Sequence, residues 1–439
     1  VLSLQHVFAM FGATVLVPLI TGLDVGVALL ASGIGTLIYI LCTKGKAPVY
    51  LGSSFAYIAA IVASVINSAN ALEVTVGGQI QEFTSIYGGD GVYGVKDAIA
   101  DGLFSFSDVY SSAFLGLILV GVVYIIVAIV IRFIGSGWLK KLLPPVVIGP
   151  MIIIIGLGLA PVAISSAGLN GGQGWEVPLV AAITFSTVVG VSLLGKGFFK
   201  IVPFLIAVIV GYVFAVIFGL VDFSTFSDYS FIQAPNVTIL GTYSLNWSSV
   251  LMFLPIAFVT IAEHIGDHTV LGEICGEDFI TDPGLDKTLL GDGIATLVSG
   301  ALGGPANTTY GENTGVVAMT KVGSVYVTGL AGIFAILLGF FGYIQAFISS
   351  IPWAVIGGMT IVLYGLIAGN GVKVLVNSKV NLANMRNIII VATMLVIGLG
   401  GASLPINEAV SMTGMSLAAI VGIVLNLVLP KGDEPETVE

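Results

Sequence analysis

The stretch that decides the fold is Pro305 to Lys321, PANTTYGENTGVVAMTK, which places polar groups between two strongly apolar segments. These polar side chains are Thr308, Thr309, Tyr310, Glu312 and Asn313. A carboxylate in the middle of a bilayer costs at least about 2.5–3.5 kcal/mol on insertion scales, so it is retained mainly where it pairs, lines a cavity or carries protons. Glu312 therefore predicts a functional cavity inside a membrane.

A second polar cluster, Glu263, His264, Asp267 and His268, lies about forty residues upstream. Glu263 and Asp267 are four residues apart, so both carboxyl groups lie on one face of a helix. We expect two acidic segments to face one cavity. For the two histidines the sequence leaves two interpretations open, ordinary hydrogen-bonded core residues or members of a proton relay.

The composition indicates a polytopic membrane protein. Of 439 residues, 57% are hydrophobic and 9% are charged, and the mean hydropathy is +1.09. In a soluble protein roughly a quarter of the residues are charged. The sequence shows no phosphate-binding glycine loop, no His/Cys metal set and no nucleophile elbow, so we predict no cofactor, no metal and no enzymatic activity, and no nucleic-acid partner.

The lysines and arginines predict the orientation. We place fourteen spans, and all of the 14 Lys and Arg except Lys96 then fall on alternate connections, which puts both termini in the cytoplasm of a cell-membrane protein. Lys96 belongs to an external loop, 67–110, for which we predict no chemistry. The predicted spans are 3–20, 24–43, 49–66, 111–133, 144–165, 177–195, 199–221, 246–270, 288–303, 306–321, 323–347, 351–368, 386–404 and 409–429.

The second half of the chain repeats the first. The segment LPPVVIGPMIIIIGLGLA from Leu143 aligns without gaps on IPWAVIGGMTIVLYGLIA from Ile351. The matched spans are seven apart, an odd number, which predicts an inverted repeat of seven plus seven spans. The third and tenth spans correspond, and both are interrupted by Pro, Gly, Ser and Thr. Such non-helical backbone is tolerated at membrane depth only where it is buried or lines a cavity.

At these residues the chain resembles the nucleobase-cation symporter family, also called the nucleobase/ascorbate transporter family, which includes the bacterial uracil permeases. The run from Glu312 to Gly315, followed by Thr320 and Lys321, is similar to the family signature. The family likeness also covers SLQHVFAMFGATVLVP (3–18), YLGSSFAYI (50–58), IAEHIGDHTVL (261–271) and NTTYGEN (307–313).

The resemblance implies an all-α membrane fold in which short antiparallel strands of spans 3 and 10 meet at the site. It implies a core domain of residues 1–133 and 246–347 and a gate domain of 134–245 and 348–430. It also implies a homodimer packed through the gate domains. From the orientation we expect residues 431–439 to form a cytoplasmic tail.

The resemblance and the polar clusters together define the candidate site. The expected substrate-binding residues are Glu263, Glu312, Phe55, Tyr310, Gly311, Ala13 and Ser54. The expected proton-coupling residues are Glu263, Asp267 and His268. The expected supporting residues are Gln5, His6, Asn313 and Thr309.

The expected function is import of uracil with a proton by alternating access. Two carboxyl groups and backbone amides match the N–H and carbonyl groups of uracil, and a glutamate at position 312 resembles the uracil carriers, whereas xanthine and urate carriers commonly have Gln there. Asp267 departs from the best-known uracil permease, which has His, and resembles purine-transporting relatives. A proton- or sodium-coupled purine symporter is therefore the alternative. An anion exchanger or channel is disfavoured because the carboxylates would repel an anion.

Overall fold

The structure, a computed structural model, is mainly helical, with a few short strands. It describes residues 2–70, 72, 74–76, 79–81, 95, 98–99, 102–200, 202–237, 243, 247–407 and 410–430. Within these ranges seven helices are long and apolar enough to cross a membrane, and five more apolar helices have 10–17 residues. The prediction of a helical, multi-pass membrane-type fold is confirmed.

The first half of the described chain contains nine α-helices and three strands. A 3₁₀ turn, Phe55–Tyr57, leads directly into the third helix. The helices are α1 (Leu2–Thr21), α2 (Val25–Cys42), α3 (Ile58–Asn70), α4 (Phe106–Ile134), α5 (Gly137–Leu142), α6 (Pro145–Gly158), α7 (Ala160–Ser166), α8 (Glu176–Leu194) and α9 (Pro203–Ile217). The strands are β1 (Leu51–Ser53), β2 (Val74–Val76) and β3 (Gln79–Gln81).

The second half of the described chain contains eight α-helices and three strands. The helices are α10 (Trp247–Cys275), α11 (Leu285–Leu302), α12 (Gly311–Thr320), α13 (Val325–Gly339), α14 (Gly342–Ser349), α15 (Trp353–Asn377), α16 (Met385–Leu399) and α17 (Gly414–Val428). The strands are β4 (Asn307–Thr309), β5 (Ser403–Asn407) and β6 (Val410–Thr413).

Several helix starts follow from local sequence. The carboxylate of Asp24 accepts a hydrogen bond from the backbone N–H of Val27 (2.7 Å) and so caps α2. Ser105 and Asp108 form a reciprocal capping box at the start of α4. Pro145 and Pro203 occupy the first turns of α6 and α9, where a missing N–H costs nothing.

Small residues set the closest helix contacts. Helix α11 packs against α2 and α4, and α13 packs against α2. At the α4–α11 crossing a Cβ atom added to Gly293 would lie 3.0 Å from the carbonyl oxygen of Gly121. A second group of helices packs around α15, which contacts α6, α8 and α9. Glycines at such crossings let helix backbones approach closely within a membrane.

The connection between α10 and α11 is stabilised by polar contacts. Lys46, which precedes β1, forms a 2.5 Å salt bridge with Asp282. Asp278 accepts hydrogen bonds from the hydroxyl and the backbone N–H of Thr281, and these bonds hold the pKa of Asp278 below its usual value. The salt bridge therefore ties this connection to the segment before β1.

Some predicted boundaries were wrong. The predicted span 323–347 is two helices, because the chain breaks at Phe340–Phe341 between α13 and α14. The predicted spans 386–404 and 409–429 run too far toward each other, since β5 and β6 form an antiparallel hairpin between α16 and α17. Gly401 and Pro405 disfavour helix there. About half of the predicted external loop 67–110, and all of the tail 431–439, lie outside the described residues.

Candidate functional site

Two short strands pair at the centre of the site. β1 and β4 pair antiparallel, with Leu51 opposite Thr309, Gly52 opposite Thr308 and Ser53 opposite Asn307. Both strands are buried, and the backbone N–H of Ser54 extends the pairing by donating to the carbonyl oxygen of Ala306 (2.8 Å). The strands thus satisfy one another's backbone groups at a depth where unpaired groups would be costly.

Buried side chains anchor the strand β4. The amide of Asn307 donates to the carbonyl oxygens of Ala31 (3.1 Å) and Ala295 (3.2 Å), in α2 and α11. The hydroxyl of Thr296 donates to the carbonyl oxygen of Asn307 (3.0 Å) and accepts from its N–H (3.2 Å). The strand is therefore held between two helices through its first residue.

Each strand is followed by the start of a helical segment. β1 leads through Ser54 into the turn at Phe55, and β4 leads through Tyr310 into α12, which begins at Gly311. The first N–H groups of a helix have no partner within it and carry partial positive charge. The free backbone N–H groups at the starts of these two helical segments thus lie beside the β1–β4 pair, where they can bind a polar ligand.

Tyr310 connects three elements of the site. Its hydroxyl donates to the carbonyl oxygen of Ser53 (2.7 Å) and accepts from the hydroxyl of Thr14 in α1 (3.4 Å). Its ring lies nearly parallel to that of Phe55, with centroids 6.4 Å apart and an interplanar angle of 16°. The predicted residues Ser54, Phe55, Tyr310 and Gly311 are therefore brought together.

Three carboxyl groups gather at the site. Asp267 of α10 accepts a hydrogen bond from the hydroxyl of Thr309 in β4 (2.8 Å). Asp267 and Glu312 both lie close enough to Glu263 to interact with it electrostatically. Among the described residues no lysine or arginine forms a salt bridge with any of the three. The three carboxyl groups are therefore gathered without a cationic side-chain partner from these residues.

The site opens on one side. Residues Glu263, Gly266, Gly311 and Gly315 are exposed, and a Cβ atom added to any of these three glycines would meet no atom within 4 Å. Gly311 and Gly315 are four residues apart and share a face of α12, as Glu263 and Gly266 share a face of α10. This open space offers a flat ligand access to the carboxyl groups and to the start of α12.

The predicted supporting residues lie on three elements: Gln5 and His6 on α1, Thr309 on β4 and Asn313 on α12. His6 is buried and lies next to Asn313. Gln5, also on α1, has a buried side-chain oxygen without a hydrogen-bond partner among the described residues. Thr309 contacts Asp267 as stated above. Ala13 lies within α1, but its side chain lies outside the described residues.

His268 faces away from the open space. Its Nε2 contacts the hydroxyl of Tyr39, its Nδ1 lies 2.8 Å from the carbonyl oxygen of His264, and the side chain is 1% exposed. His264 in turn has its Nδ1 2.7 Å from Oδ2 of Asp292 in α11.

Asp292 and Tyr39 were missed from the sequence. For Asp292 a signal existed, because an acidic residue within a predicted span is costly and suggests a partner. For Tyr39 there was no comparable signal.

The fold and this site define a polytopic membrane carrier with a polar centre between broken helices. Residues 1–407 match the family model Xan_ur_permease, described as a permease family, so the chain belongs to that family, the nucleobase/ascorbate transporters. The predicted family is confirmed, and the chain is a transporter and not an enzyme.

Curated relatives match almost end to end. The chain is 44% identical to a uracil permease of Bacillus caldolyticus, covering 98% of this chain and 91% of that protein. It is 41% identical to a uracil permease of Bacillus subtilis (99% and 93%). It is 39% identical to a uracil permease of Escherichia coli K12 (97% and 90%).

Two solved structures share the fold. The transmembrane domain of a cyanobacterial bicarbonate transporter, BicA, superposes with a TM-score of 0.61 at 13% identity, covering 97% of this chain and 95% of that chain. The murine anion transporter Slc26a9 in its inward-facing state gives a TM-score of 0.68 at 11% identity, covering 97% and 67%. At these identities the likeness concerns the fold alone.

Proposed function

We propose that this chain imports uracil together with a proton by alternating access across the cell membrane. The observation that carries the proposal is that Glu263 and Glu312, from two different helices, lie within electrostatic range of each other beside the start of α12 and an open space. The relatives named uracil permeases support uracil as the base.

The groups of uracil and of the site are complementary. Uracil presents two N–H donors and two carbonyl acceptors in one plane. The carboxyl groups of Glu263 and Glu312 accept from the N–H groups, and the backbone N–H groups near Phe55 and Gly311 donate to the carbonyl oxygens. Tyr310, Ser54 and Ala13 complete the proposed pocket. Hydrogen bonds to charged groups contribute about 1.5–3 kcal/mol each, so several together suffice for selective binding.

Proton coupling follows from uncompensated carboxyl groups. The sequence offers Glu263, Asp267 and His268 as candidates for taking up the proton, with Gln5, His6, Asn313 and Thr309 as supporting residues. Each positive charge moved inward gains about 2.3 kcal/mol per 100 mV, which allows roughly fifty-fold accumulation of a neutral base.

The packing of the helices supports the proposed domains. Helices α2, α4, α11 and α13 of residues 1–133 and 246–347 pack together, while α15 packs on helices of residues 134–245. Helices α6 and α15 both begin directly after a proline cap, Pro144 and Pro352, as expected from a seven-plus-seven inverted repeat of fourteen spans. A core domain moving against a gate domain provides alternating access, and we propose a homodimer packed through the gates.

The open face of α10 supports an inward-facing arrangement. On this face Met252, Ile256 and Val259 are at most 4% exposed, whereas Glu263, Gly266 and the positions that follow toward Cys275 are exposed. The space beside Glu263 therefore continues toward the end of α10 that the positive-inside pattern assigns to the cytoplasm.

A purine symporter is the second candidate, favoured by Asp267. An anion exchanger has weaker support. The chain shares its fold with solved anion transporters, but the three carboxyl groups would repel an anion.

The test is uptake of labelled uracil into proteoliposomes with and without an inward proton gradient, in sodium-free buffer. We expect accumulation that depends on the gradient and is blocked by unlabelled uracil but not by xanthine. Accumulation only with sodium, or block by xanthine alone, would contradict the proposal.

A further inference from the structure

A buried histidine–aspartate pair joins α10 to α11 away from the open space. The side chains of His264 and Asp292 are both fully buried, with Nδ1 and Oδ2 2.7 Å apart. Glu263, the preceding residue of α10, is exposed. Consecutive residues of a helix point in different directions, so the pair lies on another face of the helix that carries Glu263.

Hydrogen bonding assigns the proton-accepting role to His264 rather than His268. A carbonyl oxygen can only accept, so Nδ1 of His268 carries the hydrogen that it donates to the carbonyl of His264. In the neutral ring Nε2 then accepts from the hydroxyl of Tyr39. The rings of His264 and His268 stack with centroids 3.9 Å apart, and two charged rings at this separation would repel. His268 is therefore satisfied as a neutral group.

The pair needs one further proton to become neutral. An ionised Asp292 beside a neutral His264 carries one negative charge, and no lysine or arginine of the described chain pairs with it. Burying an unpaired charge is strongly unfavourable. One proton converts the pair either to imidazolium and carboxylate or to imidazole and carboxylic acid, both neutral overall.

Spare atoms are present on both partners. Nε2 of His264 and Oδ1 of Asp292 are buried, and neither has a hydrogen-bond partner among the described residues. The pair is thus not a saturated structural contact, since each member retains one atom that can hold or accept a hydrogen.

The surroundings contain titratable groups but no positive side chain from the described residues. Tyrosines with ordinary pKa values near 10 stay neutral in the physiological range, so the acidic and histidine side chains decide the charge. The groups facing the pair are Tyr39 of α2, Tyr57 before α3, Tyr124 of α4, and Asp267 and His268 of α10, with Glu263 and Glu312 beyond them.

We propose that the His264–Asp292 pair, behind the substrate-facing carboxyl groups, is the site that holds the transported proton. This inference rests on the proton coupling of the proposed function, and it assigns the proton to this pair instead of to the residues expected from the sequence, Glu263, Asp267 and His268. Water on the outer side supplies H⁺, an N–H or O–H bond forms on the pair, and its charge changes from one negative to zero. On the inner side that bond breaks and the proton returns to water.

The position of the pair explains how proton and base are coupled. Protonation removes a buried charge and strengthens the contact between α10 and α11, which holds Glu263 in place for the base. Binding of the base in turn favours the state in which the pair is protonated, because linkage between two sites is reciprocal. Binding affinity for uracil therefore depends on the occupancy of a site that does not touch it.

The test compares Asp292→Asn with the wild type in proteoliposomes. Asparagine has the shape of aspartate and can still hydrogen-bond to His264, but it cannot ionise. The matched control is Asp286→Asn, the same substitution in the first turn of α11. Two quantities are measured with the membrane potential held at zero. The first is the rate of exchange of labelled uracil at equal pH, and the second is the accumulation ratio of uracil (inside over outside) under a gradient of one pH unit.

We expect the wild type and Asp286→Asn to accumulate uracil about tenfold, the limit for one proton per base under this gradient. In Asp292→Asn exchange continues but accumulation falls to about onefold. His264→Gln, the second variant, separates exchange from accumulation in the same way. If the pair had only a structural role, exchange and accumulation would fall together. Thermal stabilisation of each variant by uracil verifies that the variant is folded.

Tenfold accumulation by Asp292→Asn while the wild type is coupled would overturn this inference alone. If Asp267→Asn lost proton coupling while Asp292→Asn kept it, this inference would also be overturned, and the proton would be assigned to Asp267 beside the open space. A wild type that exchanges uracil but never accumulates it would overturn both the inference and the proposed proton coupling.

Discussion

At the scale of single residues, Glu312 has the clearest proposed role. It follows the first residue of α12, where the helix offers unpartnered backbone donors, and it lies within electrostatic range of Glu263. An acceptor beside a set of donors can bind one edge of a planar base that has both kinds of group. The carboxyl acceptor and the backbone donors bind different groups of the base, so removing either should weaken binding.

We expect Glu312→Ala to raise the Kd for uracil roughly ten- to hundredfold, because a hydrogen bond to a charged group contributes about 1.5–3 kcal/mol. Binding is measured by isothermal titration calorimetry on detergent-solubilised protein. Glu273→Ala, which removes an exposed carboxyl group further along α10, is the control and should leave Kd within about twofold. Unchanged affinity in Glu312→Ala would remove Glu312 from the site.

At the scale of elements, close helix crossings position the site. Strand β4 is held by Asn307 between α2 and α11, and α11 packs directly on α4. The separation of these helices therefore fixes the position of the β1–β4 pair. The Gly293–Gly121 contact is the clearest example of a crossing that requires glycine.

We expect Gly293→Val to destabilise the protein by about 1–3 kcal/mol, the usual cost of overpacking. A Cβ atom at this position would lie 2.8 Å from the Cβ of Tyr124, so the helices must separate. The measurement is the apparent Tm of the purified protein. Gly190→Val in α8 is the matched control, since a Cβ atom there meets nothing within 4 Å. Equal Tm values for the two variants would contradict the role given to the crossing.

At the scale of the whole molecule, the site opens toward one end of α10. The exposed face begins at Glu263 and continues past Gly266, while the preceding turns of the same face are buried. Access from one side only is what alternating access requires of each state. The orientation of the chain then decides which compartment reaches the base.

We expect Gly266→Cys to react with a membrane-impermeant maleimide faster from the cytoplasmic side than from the outside, in a background in which Cys42 and Cys275 are replaced by serine. Saturating uracil should slow the reaction, because the base occupies the adjoining space. Val259→Cys, at a position that is 0% exposed, is the control and should react slowly from both sides. Faster labelling of Gly266→Cys from outside would reverse the assigned direction.

Much of the site could be predicted because membrane energetics act on each residue locally. A glutamate in an apolar run is costly wherever the run is placed, so Glu263 and Glu312 stood out from the sequence alone. Prolines and glycines likewise marked the interrupted segments at β1 and β4. The boundaries at 340 and 403–413 failed because apolar composition alone does not separate one long helix from two shorter elements.

The sequence by itself determined the class of protein, the helical membrane fold and the acidic residues of the candidate site, since insertion cost and helix breaking depend on local composition. Only the tertiary structure decided that His264 pairs with Asp292, that His268 contacts Tyr39, and that the space beside Glu263 opens toward one end of α10. These features depend on the rotation and separation of helices distant in the chain, and those are set by packing at contacts such as Gly121 with Gly293.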